Sequence, residues 1–327
     1  MDINGILTKI CNDFNLGNII QNPEKMSGGF LHFVYKIKTK KGEFVIKILN
    51  PQIMKRETAL NNFENANVLE NLLKQNQINA VYYNIFDNVV FQEEKYYFYV
   101  YDYFEGQSIF DKKLTKKHCE KIGETLAQIH NIKIYNKACD FSYFKCDWAF
   151  YINALKNKDK QIYLKLKRSE KVLNFLCEKY NQNVQYLPKV QTICHNDLDP
   201  KNVLWNNENF ALIDLECLAY FNPYLELFEV FLQWSGINSL KLNKQRFMTL
   251  KNAYFNNVKL SFNIDWSIVY YSNINMINWL EYNLKKYLEN QFVDNIETQK
   301  TRQEIIKTLD KILFYYRKKY AILKLIK

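Results

Sequence analysis

Residues 194–216 contain the run Cys194-His195-Asn196-Asp197-Leu198-Asp199-Pro200-Lys201-Asn202-Val203-Leu204, then eight residues, then Ile213-Asp214-Leu215-Glu216. A carboxylate at 197 and a carboxamide five residues later fit on one tight loop. A second carboxylate, Asp214, ends the apolar run Phe210-Ala211-Leu212-Ile213. Strand-like segments flank the loop, Gln191-Thr192-Ile193-Cys194 before it and Val203-Leu204-Trp205 after it. Three oxygen-bearing side chains held this way suit phosphate chemistry: one to accept or orient a nucleophile's proton, two to offer hard oxygen ligands to Mg²⁺. The competing reading is a polar hairpin whose Asp and Asn satisfy only their own turn, and the strand context on both sides weighs against it.

Composition is compatible with that reading. A chain of 327 residues, 48% hydrophobic, is long enough for one large domain or two lobes with separate cores. No apolar run reaches the ~18 residues of a membrane span. Asp2, Lys9 and Asp13 interrupt the N-terminal apolar positions, so a leader core is not expected, and the default compartment is the cytoplasm. Seven cysteines occur without a CxxC pair, which points to reduced thiols rather than a disulfide framework or a zinc site. The net charge of +11 raises a non-catalytic nucleic-acid binder as a remote alternative. The basic residues are spread along helical patterns and no nucleic-acid motif accompanies them, so no nucleic-acid or membrane partner is expected.

The best strand signal is a hairpin over residues 29–50, with alternating Phe30 to Ile37, a turn at Lys40-Lys41-Gly42, and Glu43 to Leu49. Ser27-Gly28-Gly29 stands just before it, and with eight glycines in the chain an adjacent pair marks backbone that approaches something closely. Lys47 lies in an apolar strand, where a charge needs a reason. Residues 59–76 read as a helix carrying Glu64, followed by strand-like runs at 88–91 and 95–101. From Thr115 onward helical patterns dominate: 115–131, 169–181, 224–234, 244–258, 265–288 and 296–326. A strand-rich start and a helix-rich remainder meeting near 101–106 imply two lobes with a hinge, and ligands favour such crevices.

The loop spacing resembles the HxDxxxxN loop and following metal-binding Asp of protein-kinase-like enzymes. With Gly28, Gly29, Lys47, Glu64, the hinge, the 195–202 loop and Asp214 in order, nearly the whole chain resembles the aminoglycoside phosphotransferase and choline kinase superfamily. His195-Asn196-Asp197-Leu198 with Asn202, and the helix end Leu126-Ala127-Gln128-Ile129-His130, are more similar to these small-molecule kinases than to protein kinases. Protein kinases carry Lys two residues after the catalytic Asp; here that position is Asp199, with Lys201 nearby, and no Ala-Pro-Glu-like activation segment follows Asp214.

The resemblance implies an α+β, protein-kinase-like two-lobed fold. Residues 1–104 would form a small antiparallel-sheet lobe with one helix that binds nucleotide, and residues 105–327 a larger, mainly helical lobe for catalysis and substrate. It implies ATP or GTP as donor, Mg²⁺ as metal, and a small-molecule hydroxyl as acceptor. Asp197 would be the base; Asn202 and Asp214 the metal ligands; Ser27, Gly28, Gly29 and Lys47 the nucleotide contacts; and Glu64 the partner of Lys47, with Glu57 and Glu70 as competitors. His195 would brace the loop by hydrogen bonds. For the acceptor, Glu216, Glu226, Glu229, Trp234 and Trp279 are candidates. An aminoglycoside needs an acidic pocket, while choline or ethanolamine suits an aromatic cage to which Trp234, Trp266, Tyr270, Trp279 and Tyr282 could contribute. Aromatics at helical spacing are more often core.

Overall fold

The computed structural model describes residues 2–26, 32–91, 94–134, 141–261, 263–289 and 295–327. The chain is α+β and divides into two compact units, Met1–Phe110 with His195–Ala219, and Asp111–Cys194 with Tyr220–Lys327. A single boundary between 104 and 105 was expected. Instead residues 195–219 return to the first unit, because strand β6 (Gln107–Ser108) pairs with β8 (Val203–Asn206), which pairs with β9 (Asn209–Leu212).

The first unit is built on a five-stranded antiparallel sheet of β1 (Glu24–Lys25), β2 (Phe33–Lys38), β3 (Glu43–Ile48), β4 (Tyr83–Phe91) and β5 (Glu94–Asp102), in the order β1-β2-β3-β5-β4. Helix α1 (Ile3–Asp13), for which the sequence carried no clear expectation, starts where Asp2 accepts the Gly5 N–H. Its Ile6, Leu7, Ile10 and Cys11 bury against Ile37, Ile46, Ile48, Phe98 and Val100 on one face of the sheet. Burying each such aliphatic side chain contributes about 1.5–3 kcal/mol. The short helix α2 (Pro51–Met54) leads to α3 (Ala59–Gln75), which covers the opposite face through Ala59 and Phe63 against Leu49 and Tyr99. The β8–β9 hairpin turns at Asn207, whose φ of 56° lies in the left-handed region that Asn tolerates.

The second unit is mainly helical: α4 (Lys116–His130), α5 (Trp148–Leu155), α6 (Lys160–Asn183), α7 (Pro223–Ser235), α8 (Lys244–Asn257), α9 (Trp266–Ser272), α10 (Asn275–Leu288), α11 (Asn295–Arg317) and α12 (Lys319–Ile326), with β7 (Thr192–Cys194) beside β10 (Ala219–Phe221). Helix α7 shows the local logic: the Asn222 side chain caps the N–H groups of Tyr224 and Leu225, Pro223 takes the first position, and Gly236 ends it at φ 109°. The single helix expected over 265–288 is two, because the Asn273 side-chain Oδ1 accepts the Asn275 N–H at 3.3 Å and competes with helical pairing. The 296–326 pattern likewise breaks at Lys318. Among the described residues no helix is long and apolar enough to cross a membrane.

Candidate active site

On β3, Ile46 and Ile48 point into the α1 side of the sheet, so strand alternation turns Lys47 to the other face, where it is 9% exposed. A buried ammonium needs oxygen partners. Lys47 Nζ donates to Asp214 Oδ1 at 2.6 Å and to Glu216 Oε2 at 2.8 Å. Burial pulls the Lys47 pKa down, but the two carboxylates outweigh it and hold the ammonium above its ordinary value. Burial also pushes the two acids up. Lys47 overcomes this at Asp214, which falls to about 2, and only partly offsets it at Glu216, which rises to about 7.

His32 completes this cluster. The Asn50 N–H donates to His32 Nδ1 at 3.1 Å, which assigns the ring proton to Nε2, 3.5 Å from Glu216 Oε2. Burial, and then the charge of Lys47, lowers His32 to about 3, so the ring is neutral near pH 7. Glu216 Oε1 is buried without a hydrogen-bond partner among the described residues.

The 195–202 loop is fixed by its own backbone. Asn196 sits at φ 61° and its Nδ2 donates to the Cys217 carbonyl at 3.0 Å. The Asp199 N–H donates to the Asp197 carbonyl and the Asn202 N–H to the Asp199 carbonyl. Asn202 Nδ2 then donates to both the Asp197 carbonyl at 2.8 Å and Asp197 Oδ2 at 2.9 Å. Lys201 Nζ lies 3.0 Å from the same Oδ2. Burial raises the Asp197 pKa, with Lys201 pulling the other way. The Ile213 N–H donates to the Asn202 carbonyl at 3.0 Å, which ties the loop to the residue preceding Asp214. Asp214 itself adopts φ 63°, a costly conformation for a non-glycine residue and one that clusters at functional sites.

Because Asn202 commits its Nδ2 and Asp214 its Oδ1, the Asn202 Oδ1, the Asp214 Oδ2 and the orphaned Glu216 Oε1 remain as hard oxygen donors. That set fits Mg²⁺, which takes carboxylate and carbonyl oxygens. Asp197 Oδ1 likewise remains for an incoming hydroxyl, since Oδ2 takes both the Lys201 and the Asn202 bonds.

Several sequence expectations change here. Ser27, Gly28 and Gly29 lie outside the described residues. Glu64 is exposed on α3 and does not reach Lys47. The inward face of that helix is Phe63, Ala66, Leu69, Glu70 and Leu73, and Glu64 stands about 100° around from Phe63. Glu70 is the acid on the buried face: its Oε1 accepts the Tyr83 N–H at 2.9 Å, and burial raises it to about 7. Glu216, read as a substrate residue, is instead the partner of Lys47. His195 is fully buried and neither ring nitrogen has a hydrogen-bond partner among the described residues, so it does not brace the loop by hydrogen bonds.

The other substrate candidates lie in the second unit. Glu226 is 4% exposed, with Oε2 bound to His130 Nε2 at 2.7 Å, and Trp234 is fully buried; neither presents a surface to a ligand. Trp266 and Tyr270 are also core. Glu229 is half-buried and accepts from Asn273 Nδ2 and Gln233 Nε2, both at 2.7 Å. Trp279 and Tyr282 are half-buried and stacked, with ring centroids 5.5 Å apart, beside an open groove of about 320 Å³ lined by Asn278, Glu281, Tyr282 and Lys285.

A sheet-borne lysine held by an acid from a strand–loop–strand segment, next to an Asp–Asn loop, defines a phosphotransferase-type chain. The sequence matches the phosphotransferase enzyme family over residues 22–247, and the chain belongs to that family. No curated protein matches it in sequence. Among solved structures it is similar to a spectinomycin phosphotransferase bound to ADP and spectinomycin, with 14% identity, TM-score 0.71, and 95% of this chain and 97% of that one covered. An amicoumacin kinase in complex with AMP-PNP, Ca²⁺ and its ligand gives 13% identity, TM-score 0.60, and coverage of 95% and 94%. The Plasmodium vivax ethanolamine kinase gives 15%, 0.60, and 94% and 89%. At these identities the likeness establishes the fold, and the family match establishes a phosphotransferase.

Proposed function

We propose that the protein transfers the γ-phosphoryl group of ATP or GTP to a hydroxyl of a small acceptor, in the manner of aminoglycoside phosphotransferases. The observation that carries this reading is the 2.6 Å contact between Lys47 and Asp214, 167 residues apart, in the same unit as the Asp197–Asn202 pair. Asn202 and Asp214 are the residues that would hold Mg²⁺, which when bound supplies charge neutralisation on the phosphates. Lys47 offers its ammonium to the nucleotide phosphates, with Glu216 and His32 fixing its direction. Asp197 Oδ1 accepts the hydrogen bond of the acceptor hydroxyl and takes its proton. Positioning carries most of the rate, because the reaction asks little covalent chemistry of the protein.

A choline or ethanolamine kinase is the second reading. Its support is the Trp279–Tyr282 stack with Glu281 at the adjoining groove, since an aromatic face and a carboxylate both attract an ammonium head. The net charge of +11 disfavours a polycationic acceptor, so a neutral or singly charged alcohol fits better than a multiply charged aminoglycoside. The deciding experiment is nucleotide consumption with Mg²⁺ against choline, ethanolamine, spectinomycin, aminoglycosides and macrolides. An acceptor-dependent signal abolished by Asp197→Asn supports the proposal. No Mg·nucleotide binding by calorimetry sinks it.

A further inference from the structure

Lys201 is not among the expected site residues, yet both its backbone groups and its side chain are held. It sits in the 3₁₀ turn Pro200–Asn202, where its N–H donates to Asp199 Oδ1 at 2.9 Å and its carbonyl accepts from Ser108 Oγ at 2.7 Å. With the backbone held at both ends, the side chain folds back to Asp197 Oδ2 at 3.0 Å. Asp197 is the carboxylate in contact with the ammonium, and the charges of Asp197, Asp199 and Asp214 all favour its protonated form. The pair is partly open to solvent, with side chains 49% and 34% exposed, and an ion pair that water reaches contributes little to stability. The backbone bonds hold the turn, while the ion pair itself is weak enough to be exchanged for a ligand oxygen.

We infer that Lys201 binds the phosphoryl group being transferred, as a cation on the acceptor side of the site, while Lys47 serves the rest of the nucleotide. The geometry follows from Asp197. An acceptor hydroxyl on the free Oδ1 stands beside a carboxylate whose other oxygen already holds Lys201 Nζ, and the attacked phosphorus lies about 3–3.5 Å beyond the hydroxyl oxygen. A flexible four-carbon stem lets the ammonium swing from Oδ2 to a phosphoryl oxygen without moving the clamped backbone. In the reaction the acceptor oxygen–phosphorus bond forms as the bond from phosphorus to the β,γ-bridging oxygen breaks. The acceptor proton passes to Asp197, and Lys201 meets the charge on the transferring oxygens. The position two residues after the base, which protein kinases give to lysine, is occupied here by Asp199, whose side chain instead anchors the Lys201 backbone.

This inference rests on the phosphotransferase reading, and its test separates the two. Calorimetry with Mg²⁺ compares AMP-PNP, which carries the γ-phosphate, with ADP, which lacks it, for the wild type, Lys201→Ala and Lys201→Arg. Lys201→Ala is expected to weaken AMP-PNP about 10- to 100-fold, the range for a lost hydrogen bond to a charged group. ADP should stay within about twofold, and Lys201→Arg should restore most of the difference. Equal loss for both nucleotides, or no loss for either, overturns the inference, because a lysine that merely holds Asp197 has no preference for the γ-phosphate. If the wild type binds neither nucleotide, the phosphotransferase reading fails and this inference fails with it.

Discussion

Two buried polar clusters, one in each unit, use similar residue types for opposite ends. In the first unit Lys47, Asp214, Glu216 and His32 leave work undone: Glu216 Oε1 has no partner among the described residues, and the Asp214 side chain is 38% exposed. In the second unit His130 joins Glu226 Oε2 through Nε2 and the Tyr254 hydroxyl through Nδ1, both at 2.7 Å, with Cys194 Sγ 3.7 Å away. There every member is at most 4% exposed and both imidazole nitrogens are occupied. His130, Cys194 and Glu226 could be mistaken for a metal site, since their ligand atoms lie within 4.8 Å of one another. Burial holds the Cys194 thiol well above its usual pKa, and the imidazole and carboxylate are spent on each other. A satisfied network fixes a core, while donors left over beside a strained Asp mark a site for ligands.

The largest expected effect separates the clusters by activity. Asp197→Asn should lower turnover about 10²- to 10⁴-fold with nucleotide affinity retained, measured by coupled nucleotide consumption and calorimetry. Loss of nucleotide binding in that variant would show that Asp197 organises the pocket rather than the chemistry.

Removing Glu226 should do the reverse. Glu226→Ala leaves His130 Nε2 without its carboxylate partner and a void in the core, and should cost about 2–4 kcal/mol of stability, read by denaturant unfolding. A cost below about 1 kcal/mol would mean that the second network is not structural.

The pH dependence of stability follows from Glu70 and Glu216, whose folded pKa values of about 7 stand above an ordinary carboxylate. A raised acid binds more protons folded than unfolded between roughly pH 4.5 and 7, so these two carboxyls lower stability as pH rises through that window. His32, lowered from 6.5 to about 3, binds fewer protons folded than unfolded and offsets one of them up to about pH 6.5. Each carboxyl contributes up to about 3 kcal/mol across the window, because a tenfold change in acidity corresponds to about 1.4 kcal/mol. Thermal melts of Glu70→Gln should show a flatter profile there, and an unchanged slope would remove Glu70 from the account.

Gly123 on α4 sharpens the comparison from the packing side. An added Cβ would meet the Leu250 carbonyl oxygen at 2.6 Å and the Tyr254 nitrogen at 3.0 Å on α8. Gly123→Ala should therefore destabilise by about 1–3 kcal/mol despite alanine's better helix propensity, as thermal unfolding would read. The smallest effect belongs to Glu64→Gln, which should leave nucleotide affinity within about twofold. A larger loss would return Glu64 to the Lys47 site.

What could be read in advance followed local rules. Strand alternation and turn chemistry located β2, β3, β5, β8 and β9, and apolar periodicity located α3, α4, α7 and α8 within a residue or two. The pairing of Asp197 with Asn202 was legible because both lie on one short loop. Glu64 falls outside the cluster because helix phase decides which acid is buried: Phe63, Ala66 and Leu73 face inward together with Glu70, and Glu64 does not. Trp234 and Glu226 carried no local sign of depth, since a tryptophan or glutamate in an apolar helix reads alike in a cage and in a core.

By itself, then, the sequence determined many of the strands and helices and the spacing of the oxygen-bearing side chains from Asp197 to Asp214, because these depend on neighbours a few residues apart. Only the tertiary structure decided that Lys47 is held by Glu216 and Asp214, that His32 stands behind Glu216, and that Lys201 folds back onto Asp197. Those pairings depend on which faces of a sheet and a loop meet across long sequence separations, and desolvation, which sets their charges, exists only once the chain has closed around them.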